Sequence, residues 1–157
     1  MATFRLVGLE PGLFEPFFAL DAAALAATGA RRVRADSMPG YPCRISLEDA
    51  QPGDELLLLP FEHLGTRSPY RAGGPVYVRA GARRAVLAPG VLPPYVTRRL
   101  MSVRAYDAEA MMVAGEVCEG AEAAPLLDRL LADPAVAFIH LHNAGRGCFS
   151  CRVERVD

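Results

Sequence analysis

The stretch Ala135-Val-Ala-Phe-Ile-His-Leu-His142, with the loop 143–147 and the segment Cys148–Val156 that follow it, decides the fold of this chain. Both long segments have strand character, and the loop between them is short and holds two glycines. The stretch therefore predicts two neighbouring strands joined by a tight loop. It also holds two of the three histidines and two of the four cysteines of the chain.

Outward from this pair, the chain alternates short strands with a few helices. The apolar run Glu55–Phe61 is too short for a typical helix and predicts a strand buried on both faces, at the centre of a sheet. Leucines recur at helical spacing between Leu126 and Leu131, and Asp133-Pro134 ends that last helix. Further strands are expected over 4–9, 31–35, 76–79, 102–106 and 111–118, further helices over 22–27 and 93–100, and loops over 36–44 and 65–75.

These elements predict an α+β fold. We expect a single domain over residues 1–157, with a mixed or mainly antiparallel sheet of about six to eight short strands and three helices. A chain of this length buries enough surface for a stable core without disulfides.

Composition excludes several classes of function. The 17 basic and 18 acidic residues nearly cancel, so neither nucleic acid nor an anionic membrane is an expected partner. No apolar run approaches the ~18 residues of a membrane span, and no secretory signal is evident, so we expect a soluble cytoplasmic protein with free thiols. Every basic residue is arginine, which is typical of a GC-rich bacterial genome and excludes lysine Schiff-base or P-loop chemistry.

The two histidines near the C-terminus indicate a metal site. Side chains alternate along a strand, so His140 and His142 share one face with α-carbons about 6.5 to 7 Å apart. This spacing suits two imidazoles on one zinc, iron or nickel ion, and the third ligand would be His63, Glu62, Cys43 or Cys148. In the alternative interpretation, His140 completes an apolar face and is held by hydrogen bonds, while His142 meets solvent or braces the following loop.

The thiols are candidates for catalysis rather than for a disulfide. Cys148 and Cys151 have the Cys-x-x-Cys spacing, but in a strand they would lie about 10 Å apart on opposite faces. Cys43 precedes Arg44, which would favour a thiolate nucleophile if a histidine served as base. The candidate catalytic residues are Cys43, His63 and Cys148; the alternative is that the thiols are ordinary core residues.

Arginine accompanies glycine or proline in three loops, which is typical of anion binding. Arg146 lies in the glycine loop 143–147, Arg44 follows Pro42, and Arg71 precedes Gly73-Gly74. Solvated arginines or structural ion pairs are the alternative. The candidate ligand-binding residues are Arg44, His63, Tyr70, Arg71, Arg104, His140, His142, Asn143 and Arg146.

Four separated strings resemble a bacterial family known as domain of unknown function 1203. The strings are Ala35–Ala50, Ser68–Pro75, Arg104–Met112 and His140–Cys148, in the expected order, and the resemblance runs from Phe4 to Val156. It implies a small, soluble, stand-alone bacterial protein and carries over no catalytic residue. The family pattern includes Cys43, Arg44, His63, Tyr70, Arg71, His140, His142, Asn143 and Cys148, whereas a cysteine at position 151 departs from it.

Three functions follow from these residues. The first is binding of a small anionic molecule in one pocket lined by arginines and histidines. The second is a metal-binding protein or metalloenzyme that holds a transition metal at His140 and His142, completed by His63 or a thiol. The third is a structural or self-associating domain, with homo-oligomers as its assemblies. The sequence does not decide whether the chain is an enzyme.

Overall fold

The computed structural model describes residues 3–157, which fold into two five-stranded sheets flanked by short helices. The strands are β1 (Phe4–Val7), β2 (Arg31–Arg34), β3 (Pro42–Cys43), β4 (Glu48–Asp49), β5 (Glu55–Leu64), β6 (Ala72–Arg79), β7 (Leu100–Tyr106), β8 (Met112–Glu119), β9 (Phe138–Asn143) and β10 (Phe149–Arg155). The α-helices are α1 (Glu15–Phe18), α2 (Ala22–Ala27), α3 (Pro94–Thr97) and α4 (Ala123–Leu131), and 3₁₀ turns lie at Pro11–Leu13 and Gly120–Glu122.

The first sheet has the order β1-β10-β9-β7-β8 and is antiparallel throughout. Its central strand β9 pairs with β10 on one side and with β7 on the other. Ile139 and Leu141 point into a core that the leucines of α4 cover, because those leucines recur along one helix face. Strand alternation then turns His140 and His142 to the opposite face of the sheet.

The second sheet has the order β2-β5-β6-β3-β4, with only the β3–β6 pair parallel. Leu57 and Leu59 on β5 pack with Val76 and Val78 on β6 in a second core. The register of β5 against β6 shifts between Phe61 and Leu64, which marks a β-bulge or similar irregularity. Strand β5 thereby continues past the apolar run and carries His63.

The two sheets meet around Phe149 and Arg44. Phe149 begins β10 of the first sheet, yet its ring is buried in the core of the second. Arg44, which follows β3, donates a hydrogen bond of 2.8 Å from Nε to the Phe149 carbonyl. Strand β10 also contacts β6, so the polar face of the first sheet lies against the second.

The α+β class and the mainly antiparallel pairing are confirmed, whereas the predicted counts were wrong. Over residues 3–157, ten strands form two sheets rather than one of six to eight, and four α-helices are present rather than three. Strands β3 and β4 are two residues long and therefore leave no alternation to detect. The predicted helix over 93–100 is only the turn Pro94–Thr97, because Leu100 already begins β7.

Asp21 caps α2 by accepting a hydrogen bond from the Ala24 N–H, and Gly29 has the positive φ of a C-terminal cap residue. Over residues 3–157, the longest α-helix has nine residues, and none has the length and apolar character needed to span a membrane.

Gly8 sits where β1 meets the segment that carries Arg44, and the backbones there are too close for a side chain. A Cβ at Gly8 would lie 1.9 Å from the Ile45 carbonyl oxygen. We therefore predict that Gly8→Ala lowers the free energy of unfolding by about 1–3 kcal/mol or more, measured by urea denaturation.

The matched control is Gly12→Ala. A Cβ at Gly12 meets no heavy atom within 4 Å, so its effect should stay within about 0.5 kcal/mol. Equal destabilisation by the two substitutions would contradict the close approach at Gly8.

Candidate functional site

The structure gathers all three histidines of the chain into one cluster between the sheets. His140 and His142 come from β9 and His63 comes from β5, and one ligand-capable nitrogen from each ring lies within 4.8 Å of the other two. The His63 ring centroid is 4.8 Å from that of His142 and 5.8 Å from that of His140. His140 and His142 are 2% and 1% exposed, and His63 is half-buried.

The ring of Phe149 positions the three imidazoles. It stacks on His63 with centroids 5.2 Å apart and planes 5° from parallel. It also meets His140 and His142 edge-on, at 5.0 and 5.8 Å. Sequence reasoning missed Phe149, although its pairing with His142 across the β9–β10 ladder would follow from a known hairpin register.

The hydrogen bonds of the cluster leave nitrogen atoms unused. His142 Nδ1 lies 2.8 Å from the Gly147 carbonyl oxygen, which can only accept, so Nδ1 carries the proton and Nε2 keeps a lone pair. His142 Nε2, His140 Nδ1 and His63 Nδ1 are enclosed and have no hydrogen-bond partner within residues 3–157. Buried polar atoms without partners cost stability, which makes these three atoms unusual.

Burial keeps the histidines neutral. Desolvation, with smaller effects from His63 and Arg152, lowers the pKa of His140 to about 3. Desolvation also lowers the pKa of His142 to about 4, against the opposing hydrogen bond to Gly147, and it lowers the pKa of His63. All three rings are therefore uncharged at neutral pH, which is the form that binds metal ions.

Two arginines flank His140 in the sheet. Arg104 on β7 and Arg152 on β10 both pair with His140 in the strand register. Arg152 forms a salt bridge with Glu154, with Nε and Oε1 3.2 Å apart. Arg104 donates from Nε to the Ser102 hydroxyl at 3.1 Å and forms no salt bridge with any residue in 3–157. One uncompensated positive charge thus lies beside the histidines.

The residues expected to line a single pocket do not all line the same cavity. A cavity of about 520 Å³ includes Arg44, Asn143, Arg146 and Cys148 in its lining, but none of the histidines and neither Arg71 nor Arg104. Two candidate regions therefore exist: the histidine cluster beside Arg104, and the cavity.

The remaining predicted binding residues lie at the surface. Arg71 pairs with Glu62, with Nε and Oε1 2.6 Å apart and both side chains about half exposed. Tyr70 is exposed, and its ring meets that of Tyr106 edge-on at 6.4 Å. The buried Tyr106 ring in turn contacts His140 at 5.4 Å. Tyr106 therefore lies between the Tyr70 ring and the histidine cluster.

The candidate catalytic thiols have different surroundings. Cys43 is fully buried, and its sulfur accepts a hydrogen bond from the Arg79 N–H at 3.3 Å, which suits a core thiol. Cys148 is half-buried at the cavity. Cys151 packs in the core beneath α4, where burial raises its pKa to about 12 and keeps it protonated. Cys148 and Cys151 are both free.

The fold and the cluster define an α+β protein with a cluster of three histidines between two mainly antiparallel sheets. The family model described as protein of unknown function (DUF1203) matches residues 40–155, and the chain belongs to this family. The match includes all three histidines and Arg44, whereas β1, α1, α2 and β2 precede it. No curated protein and no solved structure matches the chain.

The lowered histidine pKa values predict a pH dependence of folding in protein stripped of metal by a chelator. The unfolded histidines have an ordinary pKa of about 6.5, so they bind protons before the folded ones do. Their contribution to stability is complete above that pH and is lost as the pH falls towards the folded values of about 4 for His142 and about 3 for His140. Each histidine adds a slope of at most about 1.4 kcal/mol per pH unit.

Urea denaturation between pH 6 and pH 5 measures this slope in a range where unfolded carboxyl groups titrate little. His140→Gln should reduce the slope by up to about 1.4 kcal/mol per pH unit, the value for one proton. Cys148→Ser should leave the slope unchanged. Identical slopes for wild type and His140→Gln would contradict the depressed pKa.

Proposed function

We propose that this protein binds a transition metal ion through His63, His140 and His142, with an open coordination position for a small anionic ligand beside Arg104. The observation that carries the proposal is the convergence of the three rings, in which one ligand-capable nitrogen from each histidine lies within 4.8 Å of the other two. Each ring also has an enclosed nitrogen without a hydrogen-bond partner in residues 3–157. A shared metal ion would give the cluster the polar partner that these rings lack.

The spacing of these nitrogens supports the proposal. Nitrogens that bind zinc at about 2.1 Å in a tetrahedral site lie about 3.4 Å apart. The observed limit of 4.8 Å exceeds this by an amount that small side-chain rotations can close. The Gly147 carbonyl fixes the tautomer of His142, as the backbone partners of metal-ligating histidines commonly do.

The ligand chemistry favours particular ions. Three neutral imidazoles suit zinc, iron, nickel or copper, whereas magnesium and calcium prefer oxygen ligands. The metal-capable group contains only histidines, so neither a thiolate nor a carboxylate adds negative charge. Three protein ligands leave a position open, as in catalytic zinc sites. An enzyme built on this centre would use metal-assisted chemistry.

Arg104 gives the reason to expect an anion at that position. A divalent ion held by neutral ligands beside an unpaired guanidinium is an excess of positive charge in a half-enclosed site, and an anionic ligand would offset it. Arg104 depresses the pKa of both His63 and His142, which places its charge near the cluster. The predicted anionic ligand and the predicted metal thus become parts of one site.

We predict that untagged, chelator-treated protein binds Zn²⁺, Co²⁺ or Ni²⁺ at one ion per chain in isothermal titration calorimetry. His63→Ala should weaken binding at least about ten-fold, since even residues behind the ligands change metal affinity by about 10- to 100-fold. His63 is the variant of choice because it is the least buried of the three.

Cys148→Ser and Cys118→Ser are the controls, because accessible thiols also bind these ions. Equal affinities for wild type and His63→Ala, or the absence of stoichiometric binding in wild type, would overturn the metal proposal. The absence of binding together with self-association in solution would favour a structural or self-associating domain.

A separate prediction concerns Arg104. Acetate or phosphate added to the cobalt-loaded protein should change its visible absorption, and Arg104→Gln should weaken that response several-fold without changing cobalt affinity. Arg83→Gln, at an exposed arginine outside the strands that hold the histidines and Arg104, should leave both unchanged. An unchanged anion response in Arg104→Gln would show that Arg104 has no role in anion binding.

A further inference from the structure

We propose that the cavity beside Arg44 is a second binding site, which takes a small organic anion with a carboxylate or phosphate head and an apolar body. The lining of this cavity includes none of the three histidines, and the inference does not rest on metal binding. Its elements are the segment after β3, the loop 143–147, and parts of β5 and β6.

Arg44 is the residue that requires an explanation. Its side chain is 3% exposed, yet its only protein acceptors within residues 3–157 are two backbone carbonyls. Nε donates to Phe149 at 2.8 Å and Nη1 donates to Pro42 at 2.7 Å, which leaves Nη2 without an acceptor in that part of the chain. No carboxylate pairs with the guanidinium there. A buried charge without a counterion is costly, and an anion in the cavity would supply one.

The charges around the cavity determine whether it suits an anion or a cation. Its lining holds three arginines and no acidic residue. Arg99 is offset by a salt bridge to the buried Asp49, whereas Arg44 and Arg146 form none within the described residues. The cavity is therefore positive overall and suits an anion rather than a cation.

The size and remaining lining of the cavity indicate an organic body. Its volume of about 520 Å³ lies in the range of small-molecule pockets, about 300–1,000 Å³, and is larger than an inorganic oxyanion needs. Leu58, Pro75, Tyr77 and Leu100 provide apolar surface around the arginines. An aromatic or branched aliphatic acid would fill this space while its head pairs with Arg44.

Asn143 provides a polar contact on the ligand body. Its Oδ1 is enclosed and has no hydrogen-bond partner in residues 3–157, and the residue lines the same cavity. A carboxamide has both an acceptor and a donor end, so it can pair with a hydroxyl or amino substituent of the ligand. An amide oxygen without a hydrogen-bond partner and a buried guanidinium without a carboxylate partner in residues 3–157 thus belong to residues that line one cavity.

The test uses calorimetric titration of the full chain in Tris-chloride buffer, which contains no organic anion, with benzoate, phenyl phosphate and the uncharged benzyl alcohol. We expect saturable binding of one anionic probe per chain. The probe with the higher affinity, benzoate or phenyl phosphate, shows whether the site prefers a carboxylate or a phosphate head. Arg146→Ala should weaken binding at least five-fold, and Arg44→Gln should abolish it. Arg67→Ala is the matched control, because Arg67 is also exposed but does not line the cavity.

The decisive comparison is between Arg146→Ala and Arg67→Ala, so it holds even if Arg44→Gln fails to fold. Equal affinities of these two variants, binding of benzyl alcohol as tight as that of the anions, or no binding of either anion would overturn the inference. Repeating the titration with His63→Ala separates the two sites: binding that survives this substitution supports a cavity independent of the metal centre, and binding that disappears overturns the separation.

Discussion

The stack of the His63 ring on the Phe149 ring is the contact on which the polar interior of this protein depends. The backbone of Phe149 pairs with β9 in the first sheet, and its ring is buried in the core of the second sheet. The residue therefore joins the two sheets. The Phe149 carbonyl also accepts the hydrogen bond that holds Arg44. One residue therefore positions a histidine from β5 against those of β9 and, through its backbone, an arginine at the cavity.

The interior contains polar groups that the fold itself does not satisfy. The free lone pair of His142 and the unpaired guanidinium of Arg44 each lower stability where apolar side chains of similar volume would not. Locally unfavourable features of this kind collect at functional sites, because the cost is recovered when a ligand binds. The two groups suit ligands of opposite charge. The histidines present lone pairs to a cation, whereas Arg44 presents hydrogen-bond donors to an anion.

Strand periodicity was enough to predict part of the site. Alternation along β9 predicts from the sequence alone that His140 and His142 share one face, and His63 is among the candidates to join them. What the sequence could not reveal was that β5 continues through a bulge to His63 and that a second sheet lies opposite. The sequence also could not show that Arg44 lies at the cavity while Arg104 lies beside the histidines. Arg44 follows a strand of only two residues, whose position is set by long-range pairing rather than by a local pattern.

The loop 143–147 contributes to both candidate sites. A movement of the loop at one site would therefore also change the other. Its Gly147 carbonyl accepts the hydrogen bond that fixes the tautomer of His142, while Asn143 and Arg146 line the cavity. The loop is short and closed by a hydrogen bond from the Gly147 N–H to the Asn143 carbonyl, so its ends do not move separately. A displacement of the loop by an occupant of the cavity would alter the hydrogen bond that orients His142. By reciprocity, any resulting effect of the cavity ligand on metal affinity would equal the effect of the metal on the affinity of that ligand.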